Sequence, residues 1–233
     1  MDEITKTRAN IGVQNERSLH AALKDWYARP GDQIEAHVDG FIVDIVRADE
    51  LIEIQTRNLG RLRRKLNALL ENHRVRLVYP IAKEKWIVRT KGSKNKILGR
   101  RKSPKTGRLS DLFAELVGLP DLINHPNLTF ECVLIQEEQI RREDGRAKWR
   151  WRRSSLCDRK LIKVSETVTL ERKEDFIRFL PKDLDEPFTS SSLAQELGES
   201  IHTARQITYC LRKMGTIRMV GKIRNQLLFE IAR

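Results

Sequence analysis

The chain has 233 residues, 39% of them apolar, enough to bury one large core or two smaller ones, which excludes disorder over its whole length. Lys and Arg number 45 against 32 Asp and Glu, a formal charge of +13 that points to a polyanionic partner, nucleic acid first. No apolar run reaches the ~18 residues of a spanning helix, and the opening segment lacks a signal peptide's charged-then-apolar pattern, so the expectation is a cytoplasmic protein with no membrane contact.

Asn15 is placed to cap a first helix in which Leu19, Ala22, Leu23 and Trp26 recur at helical spacing, and Arg29-Pro30-Gly31-Asp32 ends it. Strands are expected over 33–38 and 41–47, joined by Asp39-Gly40, among the strongest two-residue hairpin signals. A third strand, 51–56, follows a polar turn. A basic helix over 59–73 carries Leu62, Leu66, Leu69 and Leu70 on one side, and strands over 75–81 and 85–89 follow. The order α-β-β-β-α-β-β is that of an α/β core with a mixed sheet.

From Lys83 to Arg108 there are eleven basic residues against one acid, with Gly and Ser interspersed. This stretch reads as a mobile basic loop in which Arg100, Arg101 and Lys102 contact phosphates rather than read sequence. A helix over 110–117 and a strand over 128–136 come next. The alternation Lys148-Trp149-Arg150-Trp151-Arg152 suits one arm of a hairpin, its tryptophans either on a core face or stacked on bases. Cys132, Cys157 and Cys210 form no CxxC pair and have no His at zinc spacing, and read as reduced and structural.

The end of the chain changes character. A helix around Phe176 to Leu180, a second over 190–197 and a third over 200–214, ended by Gly215, precede strands over 216–220 and 227–232. Three helices followed by a strand-turn-strand is the layout of a winged helix-turn-helix. On its third helix Ile201, Ala204, Ile207, Leu211 and Met214 are expected inward. His202, Arg205, Gln206, Tyr209 and Lys213 then form an outer stripe of base-reading and phosphate-binding types, with Lys222 and Arg224 on the wing. Such modules also serve in protein docking; the charge favours DNA.

The chemistry-bearing pattern is Asp44 in the second strand with Glu53 and Gln55 in the third. Residues two apart on a strand share a face about 6.6 Å apart, so Glu53 and Gln55 are expected to project together; Asp44 on the neighbouring strand, about 4.8 Å away, completes a cradle for a hard cation. Two converging carboxylates repel unless a divalent ion supplies the missing charge, and Mg²⁺ or Mn²⁺ suits oxygen ligands and bridges to phosphate. Glu16, near the edge of the first helix's buried face, is either an outer ligand or a partner of the helix dipole. The other reading of the pattern is a solvent-facing acidic stripe on a sheet.

A helix with Glu16, a hairpin whose second strand holds Asp44, then Glu53-Ile54-Gln55, a helix and further strands resemble the PD-(D/E)xK nuclease superfamily, the fold of many restriction endonucleases. The resemblance implies that Asp44 and Glu53 ligate the metal and that Gln55 stands where Lys is usual, with Arg57 and Lys65 nearby to supply the lost positive charge. It also implies a restriction-endonuclease-like mixed sheet flanked by helices over 8–90, extended by a basic middle region over 91–172 and followed by a winged helix over 173–233. The expected activity is Mg²⁺-dependent (or Mn²⁺-dependent) DNA endonuclease cleavage, acting as a homodimer or within a larger DNA-processing complex. The competing expectation is a DNA-binding regulator or assembly protein that keeps the fold without the chemistry.

Overall fold

Alternating apolar residues and a turn in which Asp39 and Gly40 both hold positive φ (47° and 80°) build the first hairpin of the computed structural model, which describes residues 18–91, 96–143 and 154–232. Helix α1 (Ser18–Tyr27) precedes the hairpin β1 (Gln33–Val38) and β2 (Phe41–Arg47), then β3 (Glu50–Ile54). A 3-10 turn at Leu59–Leu62 leads into α2 (Arg63–Leu69) and the long β4 (Arg74–Lys91); β5 is Lys96–Lys102, α3 Leu112–Leu116, β6 Leu128–Glu143 and β7 Ser155–Leu170. The chain closes with a 3-10 run at Lys173–Phe179, α4 (Ser190–Leu197), α5 (Ile201–Met214) and the hairpin β8 (Ile217–Ile223) and β9 (Gln226–Ile231).

Seven strands form one mixed sheet in the order β1-β2-β3-β4-β6-β7, with β5 on the edge of β4 that β3 leaves free. β3, β4 and β6 run parallel and the remaining pairs antiparallel. Helices cover both faces. On one, Leu19, Leu23 and Tyr27 of α1 pack on Ile45, Ile52, Ile54, Val78, Val133 and Ile135. On the other, α2 and α3 pack Leu66, Leu69 and Phe113 against Leu77 and Phe130, and the same apolar cluster runs on through Phe176 and Phe179 into Leu193, Ile207, Leu211 and Phe229 of the C-terminal unit. An edge-on ring pair, Phe113 and Phe179 with centroids 4.8 Å apart, lies at that junction.

Several expectations are corrected. Residues 75–89 form one continuous strand, its break in pattern being a bulge between Ala82 and Glu84 in the pairing with β6. The basic stretch after Lys91 contains β5, registered against Trp86–Lys91, because backbone pairing and the Trp86 ring order it: Arg100 lies 5.0 Å and Lys102 5.4 Å from that ring's centre. β6 extends to Glu143, and β7, an edge strand, has no counterpart among the predicted elements. Trp26 and Ile201 face solvent (50% and 41% exposed), and Cys157 is exposed, while Cys132 and Cys210 are buried thiols that burial pushes up to about 12. The capping role of Asn15, the site role of Glu16 and the Trp-Arg alternation at 149–152 fall outside the described residues.

Candidate functional site

The β2–β3 pairing places Ile45 opposite Ile52; one step further along that register sets Asp44 across from Glu53. Regular pairing stops there because side chains replace the ladder. Asp44 Oδ2 accepts the Ile54 amide at 2.8 Å, and the Glu53 carboxyl in turn bonds the Asp44 amide. Each carboxylate thus satisfies a backbone N–H of the other's strand, which holds the two acids together at the end of β3.

The outer partners come from opposite layers. From α1, His20 Nε2 lies 3.2 Å from Asp44 Oδ2. From α2, Lys65 Nζ donates to Glu53 Oε2 at 2.5 Å and to the Ile42 carbonyl at 2.5 Å. Lys65 reaches inward because it sits one residue before Leu66 on the buried side of α2, while Arg61 and Arg64 point to solvent. One turn beyond His20, the buried Lys24 pairs with Glu35 at 2.5 Å. Glu35 stands at the β1 position across from Asp44 and has φ 51°, a left-handed conformation that costs a non-glycine residue about 1–3 kcal/mol.

Burial and the neighbouring Asp44 charge push Glu53, only 6% exposed, up to about 7, although Lys65 pulls the other way. Burial also opposes ionisation of Asp44, but its bond to His20 with the His20 charge, the Ile54 amide and Lys65 outweigh it and hold that carboxyl below its usual range. The two acids are therefore pushed apart in acidity, as expected of adjoining carboxylates. The linkage has a definite sign. Unfolded Glu53 loses its proton near 4.5 and folded Glu53 near 7, so the folded state holds more protons in that window. The group's contribution is most favourable at low pH and declines as pH rises through the window. Urea unfolding in metal-free buffer is expected to show the parent losing roughly 2 kcal/mol relative to Glu53→Gln between pH 5 and pH 8. Parallel stability curves would contradict the burial argument.

Gln55 does not join the cluster. Its backbone continues the sheet by donating to Val78, but its side-chain amide donates to the Arg57 carbonyl at 2.6 Å, so the expected shared projection with Glu53 is not realised. Arg57 is exposed and contributes that carbonyl, whereas Lys65 delivers its ammonium to Glu53. Behind the cluster, the fully buried Glu137 pairs with Arg159 at 2.7 Å, and Arg159 also holds the Thr56 carbonyl where the chain leaves β3. Sequence reasoning passed over His20, Lys24 and Glu35. The available signal was two polar residues, His20 and Lys24, on the apolar face of an amphipathic helix.

Two further groups of predicted residues sit elsewhere. Arg100 pairs with Glu138 at 2.6 Å and Lys102 with Glu84 at 2.7 Å, while Arg101 is exposed on β5. On α5, His202, Arg205 and Lys213 are exposed and Gln206 and Tyr209 half-buried; Lys222 lies on β8, and Arg224, with φ 52°, in the turn before β9. α5 itself is well bounded, with Ser200 accepting the Thr203 amide at its start and Gly215 in the left-handed region at its end.

The family model described as "Domain of unknown function (DUF8091)" matches residues 17–171. An "Uncharacterized protein" of Treponema pallidum (strain Nichols) is 34% identical over 208 residues, covering 88% of this chain and 81% of that protein. No solved structure matches the chain.

Proposed function

The chain belongs to the DUF8091 family, whose span takes in α1 through β7 and the whole carboxylate cluster, and on that footing we propose that it is a metal-dependent DNA endonuclease of restriction-endonuclease-like fold with a C-terminal winged helix. The observation that carries the reading is the pair of half-buried Asp44 and buried Glu53, drawn from adjoining antiparallel strands, with the Lys65 ammonium on Glu53. Helix, hairpin, third strand, helix and then a strand parallel to the third support the fold assignment.

The donor set fits a hard cation. The part-buried Asp44 and the buried Glu53 adjoin, Lys65 lies on Glu53, and both described partners of Asp44, His20 and the Ile54 amide, fall on Oδ2. Among the described residues no group of three or more His, Cys, Asp and Glu gathers at metal-binding spacing. The proposed ion therefore rests on Asp44 and Glu53 alone; Mg²⁺ is an ion that binds through one or two carboxylates, with waters and substrate phosphate completing its shell. Bound by Asp44 and Glu53, the ion would stabilise the charge that grows on the phosphate during attack. The protein's own groups do the rest. The Ile54 amide and His20 fix the Asp44 carboxylate, and Lys65 takes over the positive charge that Gln55 lacks. Arg61 of the preceding 3-10 turn and Arg64 of α2, both exposed, hold the strand's phosphates.

A DNA-binding scaffold without chemistry is the second reading, favoured by the same Lys65 ion pair if it permanently closes Glu53. Incubating supercoiled plasmid with the protein and Mg²⁺ or Mn²⁺, against a chelator control, separates the two. Nicked or linear product only with metal is the expected result; plasmid bound but intact with either ion would retire the nuclease.

A further inference from the structure

A groove of about 280 Å³ runs between α5 and the β8–β9 turn, away from the carboxylate cluster. Arg205, Tyr209 and Arg212 line one wall; they stand at i, i+4 and i+7 on α5 and so share one stripe. The opposite wall is Asn225 of the turn and Gln226 at the start of β9; Leu227 and Phe229 give the groove an apolar lining, and the Ser190 hydroxyl, paired with Thr208 at 2.9 Å, borders it. We propose that this groove takes a single unpaired nucleotide of a DNA strand, with its base against Tyr209, the flanking phosphates on Arg205 and Arg212, and the base edge read by Asn225 and Gln226.

The shape decides against duplex as the occupant. A major groove admits the convex ridge of a helix, whereas this groove lies between α5 and the β8–β9 turn and, at about 280 Å³, has the volume of a small group rather than a duplex. The chemistry decides for a nucleotide. An aromatic ring offers a stacking face to any base, guanidinium groups on either side match a charged backbone, and carboxamides present donors and acceptors together for a base edge. No acidic side chain lines the groove among the described residues, so nothing there repels phosphate. The assignment rests on the DNA-binding reading and adds to it a preference for ends, overhangs or extruded bases.

The test uses the full chain and three labelled probes read by fluorescence anisotropy: a blunt duplex, the same duplex with a one-nucleotide overhang, and the overhang duplex carrying a fluorescent base analogue at the unpaired position. The overhang is expected to bind about tenfold more tightly than the blunt end, and the analogue's emission to be quenched on binding. Tyr209→Ala should abolish quenching and lower overhang affinity by a larger factor than blunt affinity, closing most of the gap between the two probes. Because Tyr209 is half-buried, the exposed Asn225→Ala is the second variant and should lower overhang affinity alone. Equal binding of blunt and overhang probes, or an equal loss for both in the variants, overturns the groove assignment and leaves duplex binding standing. No binding of any probe overturns the DNA reading and this proposal together.

Discussion

Alanine at Asp44 or Glu53 is expected to lower Mg²⁺-dependent plasmid cleavage by about 10³-fold or more while duplex affinity changes by less than about twofold. The separation follows from where charge lies. Glu53 is buried and Asp44 half-buried at the end of β3, and the exposed Arg and Lys residues that would meet phosphate lie on α2, β5 and α5. Removing the Asp44 carboxylate also leaves the Ile54 amide without its acceptor, an unsatisfied group that costs about 1–3 kcal/mol. Asp44→Asn and Glu53→Gln keep an acceptor oxygen, so they are the decisive variants: Glu53→Gln should hold the parent's stability or better, Asp44→Asn should lose the charge that His20 and Lys65 favour yet keep an acceptor for the Ile54 amide, and both should fail to cleave. Gel assays of cleavage and anisotropy of binding on the same preparations check the result. Cleavage by both amide variants at the parental rate would remove Asp44 and Glu53 from the chemistry.

Local signals placed the hairpin and its acids because each rests on short-range physics. Asp39-Gly40 supplies the two positive φ values that a tight hairpin needs and fixes β1 against β2, while the Ala48-Asp49 turn between Arg47 and Glu50 sets the β2–β3 register that brings Asp44 opposite Glu53. α4 and α5 were legible for the same reason: Thr189 and Ser200 cap their starts, and Gly198 and Gly215 end them in the left-handed region. β5 and β7 were not legible. The residues of β5 are all exposed, and those of β7 nearly all exposed or half-buried, so neither strand carries an apolar alternation; both exist through pairing with β4 and β6. The same limit applied within the site. Strand periodicity put Gln55 beside Glu53, but the strand ends at Ile54 and the amide turns to the Arg57 carbonyl. His20 entered the cluster only because α1 crosses the sheet above Asp44, a packing relation that no spacing rule encodes.

Lys65→Met is expected to reduce cleavage by about 10²–10³-fold and to destabilise the fold, and the two losses should come apart in a double variant. The Lys65 ammonium has two acceptors, Glu53 Oε2 and the Ile42 carbonyl, and is itself largely buried. Without it Glu53 faces Asp44 with no compensating cation and takes up a proton, and the Ile42 carbonyl loses a donor, at a cost on the order of 1–3 kcal/mol. For a chain of this size that lowers Tm by about 2–4 °C per kcal/mol. Adding Glu53→Gln supplies a neutral amide in place of the stranded acid, so the pair of substitutions should recover much of the melting temperature and none of the cleavage. Lys65→Arg keeps the charge but replaces a compact ammonium with a planar fork, so binding and stability should be largely held while cleavage falls. Parental cleavage by Lys65→Met would make Lys65 a purely structural cation, and the charge opposite Asp44 and Glu53 would then have to come from the bound ion alone.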